Sequence, residues 1–266
     1  MTASPPRPSA HAVGRLSARA VVKRFGGVAA VDGVSFDLAD REILGLIGPN
    51  GAGKTTLFDC LAGSLKPTSG TISLGEQRID TLAPHRRIGV GLARTFQIPR
   101  PFPELSVLDN VLLGRQHQAG EHILPNWFAP GRVRREEREA REKARALIDF
   151  VTLSRLADSP ARMLSGGQRK LLELARVLMA DPTVILLDEP AAGVNPSLLE
   201  MIIERIAELN RSGMTFLLIE HNMDMVARLC SRAIVMAAGS VIAEGTPEAV
   251  SRDPVVIDAY LGGVAA

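Results

Sequence analysis

Residues 43–56 read ILGLIGPNGAGKTT, an apolar run that leads directly into a glycine-rich loop. The run is apolar on both faces, which is typical of a central strand in a parallel sheet. The loop matches the phosphate-binding P-loop, whose glycines let backbone N–H groups converge on phosphate oxygens at the start of a helix. The predicted nucleotide-binding residues are Gly48, Pro49, Asn50, Gly51, Ala52, Gly53, Lys54, Thr55 and Thr56.

Four polar side chains near this loop and after a second strand are predicted to carry the chemistry. Lys54 supplies a positive charge for the β- and γ-phosphates, and Thr55 offers a hydroxyl to Mg²⁺. A second buried strand, predicted at 184–187, ends in Asp188 and Glu189, at the edge where parallel sheets collect their ligands. We predict that Asp188 holds the Mg²⁺ shell and that Glu189 polarises the attacking water.

A second phosphate-binding helix end is indicated at residues 164–168, which read LSGGQ. The motif offers a hydroxyl and two flexible glycines before a helix predicted over 168–180. An ordinary N-cap is the alternative. Two such helix ends in one chain predict a head-to-tail, two-fold dimer, with each ATP between Lys54 of one copy and Ser165 of the other. The predicted contacts are Ser165, Gly166, Gly167 and Gln168.

The remaining pattern predicts an α/β fold. Residues 34–38 alternate between apolar and polar, as in a half-buried antiparallel strand, and a helix is predicted from Asn195 as its N-cap and Pro196 in its first turn. Residues 98–180 lack strand signals, which predicts a helical subdomain inserted into a P-loop NTPase core with a mostly parallel sheet and an antiparallel β layer. Further strands are predicted at 215–219, 233–237 and 241–243.

The domain organisation follows from composition. Residues 1–15 are expected to be a disordered tail, and 16–263 one nucleotide-binding domain. No apolar run reaches the ~18 residues that a membrane span needs, so we expect a soluble, intracellular protein. Cys60 and Cys230 are predicted to be core thiols.

The charge distribution gives no reason to expect nucleic-acid binding, since the net charge is only +2. The densest charge run, 132–145, mixes both signs at helical spacing, and a solvated helix is predicted with Glu137 paired to Arg141 and Glu139 paired to Lys143. A polyanion site is the alternative for this run.

Together the motifs resemble the ATP-binding cassette (ABC) family over residues 16–263. The resemblance implies three more site residues: Phe25 stacks on adenine, Gln97 senses Mg²⁺ and the γ-phosphate, and His221 is the switch histidine near the γ-phosphate. The respective alternatives are a core or hairpin aromatic, a surface amide and a capping or core histidine. Where most cassettes have an aspartate at the end of the loop that links the two sites, this chain has Asn195, which keeps the cap and lacks the charge.

Within the family, RTFQ at 94–97, DEPAAG at 188–193, YLG at 260–262 and the extra stretch 116–135 resemble the ATPase of branched-chain amino acid importers. This resemblance implies ATP and Mg²⁺ as cofactors and a peripheral position on the cytoplasmic face of the inner (plasma) membrane. It implies transmembrane permease subunits, a second ATPase copy or paralogue and, indirectly, an extracytoplasmic substrate-binding protein as partners. Systems for urea or amide uptake and for lipopolysaccharide export are similar enough to stay open as alternatives.

Two predictions concern the membrane partner and the soluble alternative. An apolar groove near Gln97 is predicted to dock a short helix of the permease, with a core role as the alternative for the same side chains. The groove candidates are Phe96, Ile98, Pro99 and Phe102.

A soluble cassette acting in DNA repair would need a long coiled-coil insertion, and the sequence contains no sustained heptad repeat of that length.

Overall fold

Two β-sheets organise the chain in the computed structural model, which describes residues 15–95, 100–116 and 130–261. One has four strands and the other six. In chain order the elements are β1 (Leu16–Phe25), β2 (Val28–Leu38), β3 (Ile43–Ile47), α1 (Lys54–Ala62), β4 (Ser69–Leu74), β5 (Gln77–Arg78), α2 (Pro84–Gly89), β6 (Leu92–Arg94), α3 (Val107–Leu112), α4 (Pro130–Phe150), α5 (Gly166–Leu178), β7 (Val184–Asp188), α6 (Pro196–Arg211), β8 (Thr215–Ile219), α7 (Met223–Leu229), β9 (Arg232–Ala237), β10 (Ser240–Gly245), α8 (Pro247–Ser251) and α9 (Pro254–Leu261).

The six-stranded sheet has the order β10-β9-β3-β8-β7-β6 and is parallel except at β10. Every residue of β3, β7 and β8 is buried, because the sheet is covered on both faces. The predicted central strands and the α/β class are therefore confirmed. Because β3, β8 and β7 are neighbours, the loops that follow them emerge side by side at one edge.

The four-stranded antiparallel sheet, order β2-β1-β4-β5, packs over α1. Leu57 and Phe58 of α1 share one apolar core with Val21 and Phe36 of the antiparallel sheet and with Leu46 of β3. The helix that begins at the P-loop is thus held between the two sheets, which fixes the direction in which its N-terminus points.

Helices dominate the described residues between 100 and 178, where α3, α4 and α5 pack on one another. Their core includes Val107, Leu147 and Leu172. The helix predicted over 168–180 begins two residues earlier and ends at Leu178. The difference arises because Ser165, and no later residue, supplies the N-cap. A separate subdomain over 98–180 stays a prediction.

The charge-rich run forms the predicted helix, α4, but with other ion pairs. Arg135 Nε lies 2.8 Å from Glu139 Oε1, and Lys143 Nζ lies 2.6 Å from Asp181 Oδ2. The predicted pair of Glu139 with Lys143 is wrong, because Asp181, beyond α5, draws the ammonium group away from its own helix.

Both cysteines belong to the apolar core. Cys60 and Cys230 are buried and unbridged, and burial raises the pKa of Cys60 to about 11 and that of Cys230 to about 12, as expected of core thiols.

None of the helices in the described ranges has the length and apolar character to cross a bilayer. The tail prediction for 1–15 concerns residues that are almost all outside the described ranges.

Candidate functional site

The candidate site lies at the carboxyl ends of three neighbouring parallel strands. β3 leads into the P-loop, β8 leads to His221 and β7 ends at Asp188 and Glu189. Residues from three separate predictions therefore meet at one edge of the sheet. Gln97 lies outside the described residues, as do Phe96, Ile98 and Pro99.

Three glycines give the P-loop its path. Gly48, Gly51 and Gly53 have φ values of 147°, 80° and 95°, which side-chain-bearing residues rarely adopt. A Cβ on Gly48 would lie 2.1 Å from the Met236 carbonyl oxygen, and one on Gly53 would lie 2.2 Å from that of Ala30. A Cβ on Gly51 would meet nothing within 4 Å. The loop is thus wedged against β2 and β9 on one side, with Gly51 on its open side.

Lys54 points back into the curl of this loop. Its Nζ donates to the carbonyl oxygens of Gly48, at 2.7 Å, and Pro49, at 2.9 Å, and its side chain is buried. Burial lowers the pKa of Lys54, and the charge of Glu189 acts in the opposite direction. Thr55 is exposed beside it. A cation therefore lies at the positive end of α1, where phosphate would bind.

The structure brings Glu189 and His221 together. His221 Nε2 lies 3.0 Å from Glu189 Oε1. The Glu189 backbone has a φ of 46°, and Lys170 Nζ donates to its carbonyl oxygen at 2.9 Å and to that of Pro190 at 3.1 Å. A left-handed backbone at a non-glycine residue costs about 1 kcal/mol or more, so it is kept where surrounding contacts enforce it. Lys170 of α5 supplies such contacts.

Glu220 is a site residue that the sequence analysis missed. Its side chain is 3% exposed, and its Oε1 accepts from the backbone N–H of Ala191 at 2.7 Å. Its Oε2 accepts from the N–H groups of His221, at 2.9 Å, and Asn222, at 3.1 Å. One buried carboxylate thus fixes the loop after Glu189 relative to His221. An acid directly after the four apolar residues 216–219 was the available signal.

Asp188 is buried and paired. Its Oδ2 accepts from Arg94 Nη2 at 2.7 Å, and its backbone N–H donates to Thr95 Oγ1 at 3.4 Å. In the described ranges no three His, Cys, Asp or Glu side chains form a cage for a metal ion. Thr55 and Asp188 offer oxygen atoms, which suit Mg²⁺, an ion that usually combines one or two protein ligands with the phosphates of a nucleotide. The residues present therefore fit Mg²⁺ that arrives with ATP.

The LSGGQ motif begins α5 with a capping box. Ser165 Oγ accepts from the Gln168 N–H at 3.3 Å, and Gln168 Oε1 accepts from the Ser165 N–H at 2.9 Å. Ser165 and Gly166 are exposed, whereas Gly167 is buried, and a Cβ on Gly167 would lie 1.7 Å from Leu198 Cδ2. The two glycines thus differ: one packs on α6, and the other faces outward.

This difference allows a prediction that separates packing from ligand contact. Gly167→Ala should lower the free energy of unfolding by about 1 kcal/mol, the low end of overpacking costs, because the added methyl overlaps the partly exposed end of the Leu198 side chain, which must shift. Gly166→Ala is the matched control and should unfold at the wild-type temperature, since its Cβ would meet nothing within 4 Å. Thermal unfolding measures both. Equal destabilisation by the two substitutions would contradict the packing described for Gly167.

Phe25 ends β1 in a hairpin beside the P-loop. It pairs with Val28, and Ala30 of the same hairpin touches the Gly53 position. Its ring is 50% exposed, with Lys23 Nζ 5.2 Å from its centroid, so the core alternative is wrong. Its contact with adenine stays a prediction.

The site combines a lysine in a glycine-rich phosphate loop with a carboxylate that is hydrogen-bonded to a histidine. The loop follows β3, the histidine follows the neighbouring strand β8 and the carboxylate follows β7. These are groups that a P-loop ATPase uses. Comparison with known proteins specifies the class further. Residues 31–192 match the family model for ABC transporters, and the chain belongs to this family. It is a nucleotide-binding protein and an ATPase of the ABC type.

Relatives and solved structures that are similar to this chain agree with this assignment. The high-affinity branched-chain amino acid transport ATP-binding protein LivG of Salmonella typhimurium is 41% identical over 93% of this chain and 97% of the relative. BraF of Pseudomonas aeruginosa, with the same description, is 40% identical over 93% and 97%. The ADP conformation of an ATP-binding cassette of an ABC transporter has a TM-score of 0.80 at 38% identity, covering 93% and 98% of the two chains. Residues 240–266 match a second family model, described as branched-chain amino acid ATP-binding cassette transporter.

Proposed function

We propose that this ATPase energises uptake of branched-chain or related amino acids through partner permeases. The 3.0 Å contact between Glu189 and His221 at the P-loop edge of the sheet carries the hydrolytic part of the proposal. The substrate class is supported by the match of residues 240–266 and by the names of LivG and BraF.

In the proposed reaction, each side chain of the site has one task. Lys54 binds the β- and γ-phosphates, and Glu189 accepts a hydrogen bond from the attacking water, which orients it in line with the γ-phosphate. His221 holds the Glu189 carboxylate in place through their shared hydrogen bond. Mg²⁺, held by Thr55 and Asp188, would neutralise charge that develops on the phosphates. Gln97 is proposed to sense the same phosphate.

We further propose that ATP joins two copies head to tail. Ser165 and Gly166 are exposed at the N-terminus of α5, and the Ser165 hydroxyl, which accepts from its own helix, still has a proton to donate to phosphate. ATP would then be held between Lys54 of one copy and Ser165 of a second copy or a paralogue. Loss of the γ-phosphate removes contacts that hold the pair closed, so hydrolysis reopens it.

A permease is proposed to bind the helical part of the chain, at the cytoplasmic face of the inner membrane. Phe102 is 53% exposed there, so the alternative role of this side chain as a core residue is wrong. The guanidinium of Arg176 lies 6.0 Å from its ring centroid. The loop is rigidly held, because buried Asn110 donates to the Phe102 carbonyl oxygen at 3.0 Å and accepts its N–H at 2.9 Å. An exposed aromatic on a fixed loop is typical of a contact residue in a protein interface. A binding protein outside the membrane would deliver the substrate.

Phe102→Asp tests the permease contact. We expect recovery of membrane subunits with the tagged protein to fall at least about tenfold, because a carboxylate would be buried against an apolar partner. Nucleotide affinity and the unfolding temperature should stay at wild-type values, since the side chain is half exposed. Val255→Asp, at a site that is 56% exposed in α9, is the matched control and should retain the partners. Unchanged recovery with Phe102→Asp would exclude this residue from the interface.

The co-purifying proteins also distinguish the alternatives. Recovery of importer-type permeases agrees with the proposal. Export-type membrane subunits would favour the lipopolysaccharide-export alternative, and absence of any membrane protein would favour a soluble cassette.

A further inference from the structure

Arg94 lies between two acidic side chains from different parts of the core. It ends β6, and its Nη2 donates to Asp188 Oδ2 at 2.7 Å while its Nη1 donates to Asp59 Oδ1 of α1. The side chain of Arg94 is 12% exposed, that of Asp188 6% and that of Asp59 28%. One guanidinium group therefore joins the P-loop helix to the acidic end of β7.

The guanidinium is oriented by these two carboxylates. Burial acts to lower the pKa of Arg94, but the hydrogen bonds to Asp59 and Asp188 outweigh it and raise the pKa above its ordinary value. The ring of Phe58 lies 5.8 Å from the guanidinium carbon, and within the described part of the chain the buried Nε has no hydrogen-bond partner. Despite its burial, the guanidinium therefore stays charged at any physiological pH.

The two carboxylates compete for a single positive charge. The three side chains together carry a formal charge of −1, so Arg94 neutralises part of the negative potential at Asp188. A divalent cation near Asp188 is attracted by both carboxylates and repelled by the guanidinium. Removing Arg94 makes the potential at Asp188 more negative, whereas removing Asp59 makes it less negative. The affinity for the cation should follow these changes in opposite directions.

We propose that Arg94, shared between Asp188 and Asp59, sets how strongly the site binds the metal ion that accompanies ATP. This inference rests on the proposed metal role of Asp188. Arg94 is then a positioning residue, which holds one carboxylate oxygen of Asp188 and leaves the other for the metal ion. Asp59 acts on metal affinity only through the electrostatic potential, since it binds Arg94 and not Asp188.

The test measures the affinity of a fluorescent ATP analogue in EDTA and in Mg²⁺. The dissociation constant in EDTA is divided by the dissociation constant in Mg²⁺ to give a ratio. Through linkage, this ratio reports how strongly the metal ion is bound in the site. We expect Arg94→Met to raise the ratio roughly three- to tenfold and Asp59→Asn to lower it by a similar factor. General damage to the site would move both variants in the same direction.

The Asp59→Asn variant and one further variant, Asp188→Asn, keep the test decisive. Asp59→Asn places no unpaired charge in the core, because Arg94 retains Asp188, so it tests the proposal even if Arg94→Met is unfolded in a thermal scan. An unchanged or raised ratio in Asp59→Asn would overturn the proposal. Asp188→Asn should bring the ratio close to one. A wild-type ratio in Asp188→Asn would contradict the metal role of Asp188, the part of the proposed function on which this inference rests, and not only the role of Arg94.

Discussion

Glu189→Gln is expected to lower the steady-state rate of ATP hydrolysis by roughly 10²- to 10⁴-fold and to leave ATP binding in place. The amide keeps the shape of the side chain but lacks the negative charge that polarises the attacking water. Because Lys54 and the P-loop are unchanged, nucleotide should still bind. Phosphate release and equilibrium binding of ATP measure the two effects separately.

The same variant should also convert from monomer to dimer when ATP is added, since it cannot hydrolyse the nucleotide that holds the two copies together. Light scattering after gel filtration detects this change. Glu142→Gln, on the exposed face of α4 with its side chain 71% exposed, is the matched control and should hydrolyse ATP at the wild-type rate. A Glu189→Gln protein with wild-type hydrolysis would contradict the assigned role.

Lys54→Met is expected to weaken ATP binding roughly 100-fold, equivalent to about 3 kcal/mol. The substitution removes a buried charge from the phosphate site and leaves the Gly48 and Pro49 carbonyl oxygens without the donor they now share. Equilibrium titration with a fluorescent nucleotide measures the loss, and a thermal scan shows whether the loop has also been destabilised.

Lys66→Met is the control for this charge change. Lys66 is exposed in the segment that follows α1, so its removal alters the net charge equally and should leave ATP affinity unchanged. Wild-type affinity in Lys54→Met, or equal losses in the two variants, would show that the ammonium of Lys54 does not bind phosphate.

The central strands were predictable because their sequence pattern has one physical cause. β3, β7 and β8 are buried on both faces, so each is apolar along nearly its whole length. β1 was not predicted, since Arg19, Lys23 and Arg24 interrupt its alternation and bulges shift its register. β6 has only three residues, Leu92–Arg94, too few for a periodicity to show.

The site residues also fall into those that could be expected from the sequence and those that could not. Glu189 was predicted because it follows a locally recognisable buried strand, whereas His221 was expected only from the family resemblance, and the sheet order brings the two together. Glu220, Lys170 and Arg94 act through partners far along the chain: Arg94 is 94 residues from Asp188, and Glu220 is 29 from Ala191. Such pairs depend on the strand order, which no local pattern contains. The Asn195 cap, by contrast, accepts from the Leu198 N–H at 2.9 Å as predicted, because capping is local.

The most direct test of the account is leucine uptake in cells of the native organism whose chromosomal copy encodes Glu189→Gln. At leucine concentrations where a binding protein is needed, the account predicts that initial uptake of radiolabelled leucine falls to the level of a deletion strain, and that the wild-type gene restores it. Leucine uptake at the wild-type rate, accompanied by loss of urea or amide uptake or by a defect in lipopolysaccharide export, would contradict the account and leave only the ABC-type ATPase.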